Sequence, residues 1–377
     1  MKTFNLLKAA SCGLALAALA APAMAADFYK DKTVTITVGS SAGGGYDGYA
    51  RFLAQHWGKF IPGNPGFIVK NMPGAGSLKA TNHLYNVAPR DGTQIGAIQN
   101  GVVFEPLFKV MGKGREAKFD AQKLNWIGAV TKEISVMVVW HKTPFKSIAD
   151  VRNATVRTGA SGPTTSYGVY PRLMNATMGT NIKVVMGYNG TSGITLALER
   201  GEIDAMTGWD YSSVASRKGQ WLKDKKIRIL VQFGNKRHPQ MQNVPLASEL
   251  TTDKLNRDVL ELIAARQEIG RPYVAPPDVP AESIAALRSS FNTMTADAGF
   301  LKDANKRRIE VHPSTAAEAV AVMAANNETG VLTDVDAVAG LVAEHGAAWH
   351  CDSVQALGRV PLASAGPTYE TLSAHKV

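Results

Sequence analysis

Apolar and polar positions first alternate cleanly over Thr33–Val38, where Thr33, Thr35 and Thr37 interleave with Val34, Ile36 and Val38. A period of two with branched side chains predicts a β-strand. The alternation breaks at Ser40-Ser41-Ala42 and the run Gly43, Gly44, Gly45; beyond Asp47, residues Tyr49, Phe52 and Leu53 take up helical spacing. The pattern predicts a strand, a glycine turn and a helix opening. Amides at such a junction are unpaired and lie at the positive end of the helix dipole, so the loop can seat a carboxylate or phosphate. The structural alternative is that the glycines only permit a tight turn. Gly43, Gly45 and Gly48 have the spacing of a dinucleotide fingerprint, yet Ile68-Val69-Lys70 runs into Asn71-Met72-Pro73-Gly74 with no ribose-binding acid, and no lysine follows the glycines. Nucleotide binding is disfavoured; a generic anion seat remains.

The same grammar recurs. Phe67–Lys70 reads as a strand, Asn71–Ser77 as a loop, Leu78–Val87 as a helix, Pro89-Arg90-Asp91-Gly92 as a turn and Thr93–Gln99 as a third strand. Strands alternating with helices are βαβ units, which build a parallel sheet with its loops along the C-terminal edge. The Gly43 loop, the Gly74 loop and Asn100-Gly101 would share that edge, where ligands of open α/β sheets bind. Farther on, the strand Ala154–Thr158 leads into Gly159–Ser166, a loop carrying Ser161, Thr164, Thr165 and Ser166, and then a helix, Tyr167–Met174. This is either a second anion seat facing the first across two lobes or a Ser/Thr helix cap worth about 1 kcal/mol. Gly187–Thr191 joins the strand Lys183–Met186 to the helix Ile194–Arg200, and the short strand Ala205–Thr207 delivers Gly208-Trp209-Asp210. Trp209 would be either an apolar wall for a ligand or ordinary core.

Composition narrows the classes. The 377 residues, 45% hydrophobic and 19% charged, suit a soluble globular chain with room for two domains. A formal charge of +10 and a pI near 9.5 come from dispersed residues, the densest cluster being Lys223, Lys225, Lys226 and Arg228. Such a field steers small anions better than it grips nucleic acid. Residues 1–25 read as a signal peptide: Lys2 and Lys8 precede or flank a short apolar run, Leu14–Ala21, and Ala23-Met24-Ala25 is a small-x-small cleavage site. The run is too short to span a bilayer, and Cys12 precedes it, which argues against a lipoprotein. Cleavage near Ala25 lowers the formal charge from +10 to +8 and exports the chain to the periplasm. Cys351 would then be the sole thiol; with His345 and His350 it could ligate metal, but a solvated tail is the simpler reading, and neither metal nor cofactor is expected.

An exported enzyme, a hydrolase or lyase acting on a small acid, is the competing class. It would need a nucleophile with a base, a metal site or a carboxylate pair. No His-Glu-x-x-His or Cys-x-x-Cys occurs. Glu202 and Asp204 sit at a helix end, and His141 and His238 would matter only if the fold joined them.

The order strand, SSAGGGYD, helix, strand, NMPGAGS, helix, APRDGTQIG is similar to that of the periplasmic solute-binding proteins of tripartite tricarboxylate transporters, the Bug or TctC family. The resemblance continues through Trp126–Val130, the loop Arg157–Pro163, residues 184–210, residues 228–250 and residues 274–291, and fades beyond about Gly330. It implies an α/β fold of two lobes in Venus-flytrap arrangement, each a mainly parallel sheet flanked by helices. It also implies a carboxylate held by the two loops, partly through water, with selectivity from the loops near Tyr188–Thr191 and Trp209-Asp210. Carried over, Ser41, Ala42, Gly43, Gly44, Asp47, Ser161, Ser166, Asn189, Thr191 and Asp210 become ligand-binding residues. Ser40-Ser41 stands where relatives commonly have an aromatic-proline pair, and Met72 where they commonly have Arg, which leaves the ligand open. The expected division is 27–125 plus 245–330 for one lobe, 126–244 for the other and 331–377 for a C-terminal extension. The implied partners are a small organic acid and the small and large membrane subunits of a permease, the chain itself being a monomer; a ligand-binding subunit for a sensor kinase is the alternative partner role.

Overall fold

The computed structural model describes residues 28–108 and 116–318, together with two short strands, His350–Asp352 and Tyr369–Thr371, that pair in parallel. The expected signal peptide, and most of the expected extension, lie outside the described residues.

The chain builds two sheets. The first strand, β1 (Thr33–Val38), keeps its expected bounds and leads into α1 (Gly45–His56). Then follow β2 (Gly66–Asn71), α2 (Leu78–Asn86) and β3 (Gln94–Ala97). β4 (Asn125–Ala129) is the last strand before the chain crosses to the second sheet. There it forms β5 (Ser135–Trp140), β6 (Thr155–Ala160), α3 (Ser166–Met178), β7 (Asn181–Met186) and α4 (Thr191–Glu199). β8 (Ala205–Asp210), α5 (Tyr211–Lys223), β9 (Ile227–Phe233) and α6 (Lys254–Ile269) complete that half. The return delivers β10 (Pro272–Ala275), α7 (Ala281–Ala296), α8 (Ala298–Lys306) and β11 (Ser314–Thr315) to the first sheet.

Strand order is β11-β4-β10-β3-β1-β2 in the first sheet and β7-β6-β8-β5-β9 in the second. The βαβ units give the parallel pairs, β1 with β2 and β3, and β6 with β7 and β8. The strand that follows each crossover is reversed: β10 is antiparallel to β3 and β4, and β5 to β8 and β9. Four of six strands in one sheet and four of five in the other therefore run the same way, and their C-terminal edges carry the loops that face the neighbouring lobe.

Helices cover both faces of each sheet, which explains a departure from the alternation. Thr35 and Thr37 are buried along with Val34, Ile36 and Val38. A strand sandwiched by helices has no wet face, whatever its sequence period. One core packs Phe52, Leu53, Trp57 and Phe291 against β1; another packs Met137, Val139, Tyr170 and Phe233 in the second lobe.

Pairing and core membership also locate the crossovers. β4 lies in the first sheet, and Ala247 and Leu260 belong to a core of the second lobe, so the chain passes over at about 130–134 and returns at about 264–271. The sequence alone suggests junctions at 126 and 245; the segment 247–263, without a strand, has no periodicity that assigns it to a sheet. The two crossings run side by side: Val130 N–H donates to the Arg271 carbonyl, Arg271 N–H to the Thr131 carbonyl and Glu133 N–H to the Gln267 carbonyl.

Candidate functional site

Four helices begin at one recess between the lobes. Gly45 and Tyr46 open α1, Ser166 and Tyr167 open α3, Gly190 caps and Thr191 opens α4, and Asp210 precedes α5; all line one small recess. Ser40, Gln99, Asn100, Ser161, Gly208, Ser213 and Arg271 complete the lining. First-turn amides and the positive ends of several dipoles thus converge on a small volume, a setting that favours an anion.

Side chains hold these junctions in place. Thr165 accepts from the Gly168 N–H at 3.2 Å and caps α3, which leaves Ser161 and Ser166 to the recess. Tyr167 Oη and Thr191 Oγ1 meet at 3.0 Å, and Tyr46 Oη accepts from the Asn100 N–H at 3.2 Å. Burial pushes both phenols, Tyr46 and Tyr167, well above the usual tyrosine range, so they remain neutral donors. Asp210 accepts from Ser135 Oγ at 2.9 Å and from Arg271 Nη2 at 3.4 Å. Arg271 also donates from Nε to Glu133 Oε1 at 2.6 Å. Burial alone would lower Arg271, but the charges of Glu133 and Asp210 outweigh it and keep the guanidinium protonated. Ser166 Oγ accepts from Arg266 Nη2 at 2.9 Å.

The lobes touch across the recess mouth. Ser192 Oγ donates to the Ala42 carbonyl at 3.3 Å and Arg217 Nη1 to the Gly43 carbonyl at 2.5 Å. The site has donors in abundance: two of its four serines, Ser166 and Ser213, accept from arginines, and among the described residues no histidine, cysteine or lysine lines it. Among the described residues no group of three His, Cys, Asp or Glu side chains could hold a metal ion. Such an arrangement of donors can bind an anion.

A model described as tripartite tricarboxylate transporter family receptor matches residues 50–328. The chain belongs to that family. A Cupriavidus necator protein described as "UPF0065 protein in gbd 5'region" is 24% identical over 268 residues, which span 69% of this chain and 76% of that protein. Among solved structures, the periplasmic binding protein BugD is 19% identical with a TM-score of 0.64, covering 84% of this chain and 99% of that one. A Rhodopseudomonas palustris protein with adipate is 17% identical with a TM-score of 0.61, covering 78% and 94%. MatC of the same organism, with bound malate, is 18% identical with a TM-score of 0.58, covering 74% and 90%. These establish the two-lobed periplasmic-binding-protein fold.

The C-terminal part has a further likeness that sequence reading missed. A class-V aminotransferase model matches residues 292–377. A Klebsiella pneumoniae cysteine desulfurase is 35% identical over 121 residues, 31% of this chain and 30% of that enzyme. The chain spans about a third of the length of two of the cysteine desulfurases it matches and 15% of others.

For this family member the structure sorts the expected ligand residues into two groups. Ser161, Ser166, Thr191 and Asp210 line the recess. Ser41, Ala42, Gly43, Gly44, Asp47 and Asn189 do not. Asp47 accounts for two of the second group, Gly43 and itself: its carboxylate accepts from the Gly43 N–H at 2.9 Å, from Asn71 Nδ2 at 2.9 Å and from Arg51 Nε at 3.0 Å, consuming an amide that an anion would have used. Burial pulls Asp47 upward, but these bonds prevail and hold it below the usual carboxylate range. Trp209 is core, 1% exposed and packed edge-on to Trp221, so it walls no ligand. Asp204 is a structural partner of Arg157, bonded at 2.8 Å and 3.0 Å. Sequence reasoning missed Tyr46, Tyr167, Ser213 and Arg271 as lining residues. The available signal for the last was a lone arginine opening the apolar strand Pro272–Ala275.

Proposed function

We propose that this protein captures a small organic carboxylate between its lobes in the periplasm and delivers it to a tripartite tricarboxylate-type permease with small and large membrane subunits. The observation that carries the proposal is the convergence of four helix N-termini, two from recognisable serine- and glycine-bearing loops, on one recess walled by both lobes. A carboxylate there is fully satisfied only when the lobes meet, so it shifts the population toward the closed form, which is what a permease would recognise. Hydrogen bonds to a charged group contribute about 1.5 to 3 kcal/mol each. Three or four, less ordering and desolvation costs, reach the roughly 8 kcal/mol of micromolar affinity. The aminotransferase-like match favours no second function, since it covers so little of those enzymes.

A thermal-shift screen of the exported chain against organic acids and their amides tests the proposal. Malate and adipate, the acids named for two structural neighbours, head the panel. A binding acid at about 100 times its Kd stabilises by roughly 2.7 kcal/mol while its amide does not. Turnover of the acid, or no shift with any carboxylate, rejects the receptor reading.

A further inference from the structure

Arg271 stands at the return crossover, between α6 and β10, with its side chain 1% exposed. Two of its three nitrogens are committed. Nε donates to Glu133 Oε1 at 2.6 Å, and Nη2 reaches Ser213 Oγ at 2.7 Å, Ser212 Oγ at 2.9 Å and Asp210 Oδ2 at 3.4 Å. Nη1 is buried and has no hydrogen-bond partner among the described residues. The fork is fixed in place: the rings of Tyr46 and Tyr49 each lie 4.6 Å from its Cζ, and α1 abuts it so closely that a Cβ on Gly45 would sit 3.1 Å from both terminal nitrogens. Leaving a buried charged donor unpaired is costly, and a rigid guanidinium loses little entropy when an acceptor arrives.

We propose that Arg271 is the direct anion anchor of the recess, its Nη1 donating to one oxygen of a ligand carboxylate. The helix amides alone would hold an anion by dipoles; a guanidinium contact makes the site discriminate by formal charge. Two other groups on the lining fit the same anion. Ser40 Oγ is likewise without a partner among the described residues, and Ser166 Oγ, accepting from Arg266, keeps its own proton to donate. The acid neighbours restrict the ligand class. Asp210 faces the recess, so a second negative charge beside it would be repelled, whereas a ligand hydroxyl or ammonium there could donate to it. Glu133 is already paired with Arg271 Nε at 2.6 Å, so it opposes the incoming charge less than a free carboxylate would. The site therefore takes a small carboxylate whose charge is placed on the Nη1 side, away from Asp210.

This inference rests on the carboxylate-receptor reading, and the experiment separates the two. Affinities of the full exported chain and of Arg271→Gln are measured by calorimetry for malate, adipate and acetate and for the corresponding amides. Arg271→Gln is expected to weaken acid binding roughly 10- to 100-fold while changing amide binding little, so that the acid-over-amide ratio collapses. An unchanged ratio overturns the anchor and leaves the receptor reading standing; no binding of any of the three acids by the wild-type chain overturns both. Should Arg271→Gln fail to fold, a crystal structure of the wild-type chain soaked with the tightest-binding of these acids decides. A carboxylate oxygen about 3 Å from Nη1 supports the anchor. A carboxylate bound elsewhere in the recess rejects it.

Discussion

The Ser40–Asp47 loop in the first lobe and the Gly159–Ser166 loop in the second share one sequence plan, each joining a strand to a helix through small residues and hydroxyls. They do different work. In the first, Asp47 sits in the opening turn of α1 and reaches back to bond the Gly43 N–H, so the glycine turn is closed on itself and presents its carbonyls to the other lobe. In the second, Thr165 caps the helix from its own N-cap position, and Ser161 and Ser166 on either side remain on the recess. A loop's amides are available to a ligand only if no local side chain has taken them. The identity of the capping residue, more than the number of glycines, decides between scaffold and seat.

The comparison can be broken most strongly at Asp47. Asp47→Ala leaves the Gly43 N–H and Asn71 amide without their acceptor and should cost about 2 to 3 kcal/mol of stability in urea unfolding. Thr165→Ala, which removes the cap and the hydroxyl's bond to the Gly162 carbonyl, should cost less, about 1 to 2 kcal/mol. Equal losses would mean that the two loops are built alike after all. The acid limb sharpens the same contrast. Because the Asp47 carboxyl is held below its unfolded value, its contribution is present above about pH 4 and is lost as pH falls through the folded value. The stability gap between wild type and Asp47→Ala should therefore narrow as the pH is lowered below about 4, and the gap for Thr165→Ala should not.

Next in size is the contact between the loops of opposite lobes. Gly190 has φ +140, and a Cβ there would lie 2.4 Å from Ser41 Oγ. Gly190→Ala should hold the lobes apart, weaken acid binding by roughly tenfold and, through backbone strain, cost about 1 to 3 kcal/mol of unfolding stability. The smallest effect is expected at Ser166. Ser166→Ala removes one hydroxyl donor and should weaken binding about fivefold, measured by calorimetry, while Asp47→Ala, once its lower stability is allowed for, should alter affinity less.

Much of this molecule is legible without its structure. The bounds of β1 follow from alternation and branched residues, and a helix is legible after each loop, although α3 begins at Ser166, one residue before the expected Tyr167, and runs on to Met178. That Ser161, Ser166, Thr191 and Asp210 lie on the recess lining is legible because each lies within a residue or so of a strand end or helix start. The side-chain contents of the recess are harder to read. Tyr46 and Tyr167 sit at the second positions of helices, where an aromatic residue reads as core. Arg271 and Glu133 are brought together by two crossovers 138 residues apart in the chain. No local pattern reports that pairing. Asp47 is visible as a first-turn acid, but whether it would face a ligand or its own loop depends on Arg51 and Asn71, the latter contributed by β2. The class-V aminotransferase likeness of residues 292–377 was missed because the stretch beyond Gly330 offers one helix-like patch, Val335–Glu344, and then Gly358, Pro361, Gly366 and Pro367, with no catalytic motif.

The central claim is that one carboxylate is held by both lobes and so closes them. Spin labels at the exposed positions Lys59 and Lys183, each replaced by cysteine with Cys351 replaced by serine, place one probe on each lobe. The distance between them is measured by pulsed electron resonance with and without the acid that gives the largest thermal shift. The account predicts a broad or long distribution that becomes shorter and narrower with the acid and stays unchanged with its amide. Identical distributions in all three samples, with the acid demonstrably bound, would contradict it.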